Sequence, residues 1–70
     1  MSTEDLRACQ MNTAEAAEWI GATFQALRLC VQCPEDKKKH AANAKASADE
    51  AVGCMLRVYH IINEATGGAK

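Results

Sequence analysis

Cys30-Val31-Gln32-Cys33 is the one stretch of this chain whose residue types and spacing carry a mechanism. A C-x-x-C pair can cycle as a redox dithiol when a helix N-terminus stabilises one thiolate. That chemistry is usually built where a strand runs into a helix. Here Cys30 falls at the end of a helical stretch, where the dipole opposes a thiolate, and only Cys33 is placed to cap the next helix. Zinc is the second chemistry the pair offers. Cys30, Cys33 and His40 cluster around one turn, and thiolates with an imidazole are zinc ligands. A structural zinc takes four ligands, so Asp36 would have to be the fourth. Cys9, Cys54 and His60 lie toward the other end of the molecule and cannot complete that set within one chain. Scattered along helices, Cys9, Cys30 and Cys54 read as small apolar residues. No cofactor is expected, and metal binding at Cys30, Cys33 and His40 stands as an alternative reading.

Three further groups carry chemistry more weakly. Lys37-Lys38-Lys39-His40 is the only charge run. It could contact a phosphate or another anion at a helix N-terminus. Glu35 and Asp36 cancel much of that field, and no aromatic lies nearby for a base to stack on. Lys37, Lys38 and Lys39 are therefore read as a solvated face with a capacity for anion or partner contact. Arg57, His60 and Glu64 share a stripe with Gly53, and His60 is within reach of Glu64. A general base alone, without a nucleophile or an oxyanion hole, makes no enzyme. Trp19, Met55 and Tyr59 could anchor another protein, since aromatic side chains dominate interface energetics.

The elements that position these residues are two long helices around one break. Ser2 or Thr3 can N-cap the first, with Glu4 and Asp5 in its first turn. Leu6, Gln10, Thr13, Ala17, Ile20, Phe24, Leu27 and Val31 then follow alternating steps of four and three, which predicts a heptad seam. Pro34, followed by two carboxylates, suits the first position of a second helix. Ala41, Ala44, Ala48, Ala51, Met55, Val58, Ile62 and Ala65 form its predicted stripe. Thr66-Gly67-Gly68 ends it, with a glycine in the left-handed region. The boundaries are about 3–32 and 34–66 with a turn at 33–34, in one domain spanning 1–70. A turn there sets Gly21 opposite Ala46, Gly53 opposite Ala14 and Trp19 opposite Ala48. Each mid-helix glycine costs roughly 1 kcal/mol relative to alanine, and close approach of the two backbones is the expected reason.

The fold class is thus all-α, an antiparallel helical hairpin. Two rods of about 30 residues are each about 45 Å long and enclose no interior. Val52, Cys54, Met55, Leu56, Val58, Tyr59, Ile61 and Ile62 cover more than half of the second helix, which a lone hairpin cannot bury. Seventy residues rarely supply a sufficient core without disulfides, metal or another chain. A homo-oligomer follows, most simply a dimer forming a four-helix bundle, with Ile20, Phe24, Leu27, Val52, Met55, Leu56, Tyr59 and Ile62 at its interface.

The function classes narrow accordingly. Eight basic against nine acidic residues leave a net charge of −1, with no global pull toward nucleic acid or anionic membrane. The polar, acidic start predicts no secretory leader, and no apolar run reaches membrane-spanning length. Four cysteines without such a leader read as reduced thiols in a cytoplasm. Trp19-Ile20-Gly21 matches the W-x-G of a family of small secreted hairpins, but there the motif lies in the turn and here it falls inside a helix. In shape alone the chain resembles the small plasmid-encoded RNA-binding hairpins that dimerise into four-helix bundles, which keeps nucleic-acid or nucleotide binding through Lys37–Lys39 as an alternative. The leading expectation is a non-enzymatic, homo-oligomeric helical protein that binds another protein as an inhibitor, adaptor or regulator, of the kind carried by phage and mobile elements.

Overall fold

The computed structural model describes residues 2–67, which form helix α1 (Thr3–Gln32), a 3-10 turn (Pro34–Asp36) and helix α2 (Lys37–Ala65). The two helices pack along their lengths as a hairpin. Ser2 caps α1, its hydroxyl accepting from the Asp5 N–H at 3.1 Å, and Glu4 and Asp5 occupy the first turn. At the other end the Cys33 N–H donates to the Leu29 carbonyl at 2.8 Å, and the Asp36 N–H then closes the 3-10 turn onto Cys33 at 3.1 Å.

Helix α2 differs from expectation at its start. Pro34 does take the first position of a helical segment, but that segment is 3-10 and the α-helix begins at Lys37. Neither Cys33 nor Asp36 supplies a side-chain cap. Three residues of tighter winding reverse the chain in the short distance available, a common use of 3-10 geometry. At its far end α2 stops as expected: the Thr66 N–H reaches Ile62 at 3.0 Å, and Gly67 takes φ +91°. That is the left-handed region in which a glycine carries no steric penalty. Gly68, Ala69 and Lys70 lie outside the described residues.

The seam between the helices is not the predicted one. On α1 the buried residues are Ala16 and Ala26, and the half-buried ones include Cys9, Asn12, Trp19, Thr23 and Cys30. On α2 the buried residues are Ala44, Ala51, Cys54 and Val58, flanked by half-buried His40, Ser47 and Ile61. Both series run in alternating steps of three and four, so the coiled-coil geometry holds with its phase shifted. Ala44, Ala51 and Val58 of the expected stripe do lie in the seam. Leu6, Ile20, Phe24, Leu27 and Val31 on α1, with Met55 and Ile62 on α2, lie outside the seam and are exposed. The physical reason is size: the fully buried seam positions are four alanines, Cys54 and Val58, whereas a row of Phe, Leu and Ile there would hold the helices further apart.

The glycines also depart from expectation. A methyl group at Gly21 or Gly53 would meet nothing within 4 Å, so close backbone approach within the hairpin does not explain them. The register itself is as expected. Asn12 and Arg57 meet across the pair, as do Cys30 and Lys37, which centres the turn near residues 33–34. The molecule measures 49 × 23 × 12 Å, and 12 Å is the thickness of a single helix with its side chains. It is one layer of two helices, so every seam residue has solvent one helix radius away.

Candidate functional site

One face of this layer carries an open apolar groove of about 750 Å³. Its floor is Thr23, Ala48 and Ala51, and its walls are Ile20, Phe24 and Leu27 from α1 with Val52, Met55, Leu56 and Tyr59 from α2. The groove exists because each helix carries two apolar stripes. The small one turns inward to close the hairpin and leaves the large one open. Phe24, Leu56 and Tyr59 are 60%, 61% and 63% exposed. Ile62, which extends the α2 stripe by one turn beyond Tyr59, is exposed too. All eight residues expected at an oligomer interface thus stand on the surface. The Arg28 guanidinium lies 5.9 Å from the Phe24 ring centre, a cation–π contact at the groove's margin.

Trp19 does not share this face with Met55 and Tyr59. It lies half-buried in the seam and lines a separate cleft of about 420 Å³ with Glu15, Glu18 and Ala22. Its indole N–H donates to Glu15 at 3.4 Å. The three expected anchors therefore belong to two surfaces, because Trp19 and Ile20, adjacent in sequence, point about 100° apart on a helix of 3.6 residues per turn.

A polar cluster beside the Trp19 cleft was not legible as such. Asn12 donates its amide to the Ala8 carbonyl at 2.8 Å and accepts from Arg57 Nε at 2.9 Å. Arg57 Nη2 also reaches the Cys54 sulfur at 3.4 Å. Arg57 is thus tied across the hairpin and is not simply a member of a solvated stripe with His60 and Glu64. Those two do meet, at 3.5 Å, on the surface. Cys54 is fully buried. Burial and then the neighbouring Glu15 carboxylate push its thiol up, with Arg57 opposing. An i, i+3 pairing of Cys54 with Arg57 on one face, opposite Asn12, was the signal available.

The turn does not assemble a metal centre. Among the described residues, no three His, Cys, Asp or Glu side chains are grouped so as to hold an ion. Cys30, Cys33 and His40 are each half-buried at the turn, but the Cys30 thiol is directed at the Lys37 carbonyl, 3.6 Å away. Lys37, Lys38 and Lys39 are exposed. Among the described residues no helix is long and apolar enough to cross a membrane. No protein-family model matches the chain, and neither a curated protein nor a solved structure matches it.

Proposed function

We propose that this chain is a non-catalytic interaction protein: a cytoplasmic helical hairpin that assembles with itself through its apolar face and acts by binding another protein as an inhibitor, adaptor or regulator. One observation carries the reading. The seam is closed by small residues while the large apolar side chains of both helices stand open together on one side. A contiguous apolar surface of this kind marks an interaction site. Closing it against a second hairpin leaves Trp19, with Glu15 and Glu18, on the outside as the partner-facing anchor, since tryptophan is among the residues that most often dominate binding energy. A reducing compartment suits four scattered thiols.

Sedimentation velocity at micromolar concentration tests the first half: the expected species has a multiple of the chain mass, and a stable monomer overturns it. The second half is tested by affinity capture from the native host with the chain and its Trp19→Ala variant. Specific proteins retained by the first and lost by the second, at equal assembly state, are the expected result. Identical capture by both overturns the role of Trp19.

A further inference from the structure

We infer that the cleft beside Trp19 receives an arginine side chain of the protein partner, stacked on the indole and paired with the Glu15 and Glu18 carboxylates; this rests on Trp19 being the partner-facing anchor proposed above.

The cleft, of about 420 Å³, is lined by Glu15, Glu18, Trp19 and Ala22. Those positions follow steps of three, one and three and so share one side of α1. Ile20, Phe24 and Leu27 leave the helix on the other side of the seam, toward the groove. A second hairpin seated on the groove therefore leaves the cleft open. Trp19 is half-buried: the seam fixes part of the indole and the rest forms the cleft wall. Its N–H donates to Glu15 at 3.4 Å, and the Cys54 thiol lies against the same carboxylate. Glu15 is thus held in place, which lowers the ordering cost of binding a partner group. Glu18 beside it is exposed.

Charge names the occupant. Among the described residues neither carboxylate joins an ion pair; the pairs formed are Lys45 with Asp49 and His60 with Glu64. Arg57 is committed elsewhere, its Nε to Asn12 at 2.9 Å and its Nη2 to the Cys54 sulfur at 3.4 Å. An apolar side chain laid on Trp19 would bury carboxylate without a partner, and an acidic one would add repulsion. A cation meets both needs, because the face of an indole attracts positive charge. Of the two basic side chains, arginine fits better. Its planar guanidinium can lie on the ring while its N–H groups reach carboxylates at the edge, which a compact ammonium cannot do at once.

Because Trp19 is the only tryptophan, its emission reports this cleft alone in the full chain. Titration with end-blocked tetra-arginine at about 0.1 M salt, where charges beyond about 10 Å are screened, should give a saturable change. Glu15→Gln and Glu18→Gln, at unchanged helicity, should each weaken binding about two- to fivefold, the range of an exposed ion pair. Glu64→Gln removes the same charge at the open end and should leave binding unchanged. Tetra-lysine should bind at least about twofold more weakly than tetra-arginine. No saturable change, equal affinity for the two peptides, or equal loss in Glu18→Gln and Glu64→Gln overturns the arginine. Failure of the anchor itself reads differently. Host-protein capture that is identical for the chain and Trp19→Ala overturns both. Capture lost with Trp19→Ala but kept in full by the Glu15→Gln, Glu18→Gln double variant overturns the arginine alone.

Discussion

Cys54 is the residue on which the hairpin's inner polarity turns. Its side chain is closed off from solvent and lies between Arg57, 3.4 Å from its sulfur, and the carboxylate of Glu15. Burial and Glu15 both favour the neutral thiol, so its titration lies above the usual 9.0. Two expectations follow at this scale. Since the thiolate is the reacting form, Cys54 should be the last of the four cysteines labelled by a disulfide reagent at neutral pH. Mass-resolved kinetics check this, and labelling of Cys54 at the rate of half-buried Cys9 would contradict the burial. The sign of the pH effect is also fixed. Below pH 9 folded and unfolded chains both keep the proton and no stability is lost. Above it the unfolded chain releases the proton first, so the native state loses stability as pH rises through and beyond 9. Thermal melts of the parent and a Cys54→Ala chain should therefore converge as the pH is raised from 8 to 10.

At the scale of elements, the glycines offer the sharpest measurement. Gly21 and Gly53 sit inside helices with open space where a side chain would stand. Each should cost roughly 1 kcal/mol relative to alanine. Gly21→Ala and Gly53→Ala should each stabilise the hairpin by about 0.5–1 kcal/mol, read as a melting midpoint raised by several degrees. A lowered midpoint would mean that something outside the hairpin approaches those backbones. The same scale divides what the sequence makes legible from what it does not. Ser2, Pro34 and Gly67 sit where capping chemistry requires them, so the helix ends and the register could be read to within a turn. The phase of the seam could not. Hydrophobicity selects the stripe with the largest apolar residues, Ile20, Phe24 and Leu27, and assigns it to the nearest partner. Geometry selects the stripe that lets two backbones come close, which is Ala16, Ala26, Ala44 and Ala51. Where a helix carries both stripes one residue apart, pattern alone does not say which faces its neighbour. The exposed apolar face is legible from sequence even with the seam displaced: Ile20, Phe24, Leu27, Val52, Met55, Leu56, Tyr59 and Ile62 are what remains on the surface once the small residues are taken inward. Arg57, by contrast, reads as a surface charge until the register places Asn12 across from it.

The whole molecule returns the question to stability. Its buried core is four alanines, one cysteine and one valine, in a layer 12 Å thick. Buried apolar area contributes about 25 cal/mol per Å², and alanine seams have little area to offer. In the assembly proposed above, burial of Phe24, Leu27, Leu56 and Tyr59 adds about 1.5–3 kcal/mol for each large apolar side chain. Folding and assembly should then be one transition, and its midpoint must depend on concentration, because mass action stabilises the assembled state. Each tenfold rise in chain concentration should stabilise a folded dimer by about 1.4 kcal/mol, so circular-dichroism melts over a hundredfold range should move upward steadily. Leu56→Glu introduces a charge on the groove wall without touching the seam. Its effect should be loss of both helicity and assembly at concentrations where the parent is folded, with partial recovery only at high concentration. A melting midpoint independent of concentration, with Leu56→Glu as helical as the parent, would show that the small-residue seam suffices by itself.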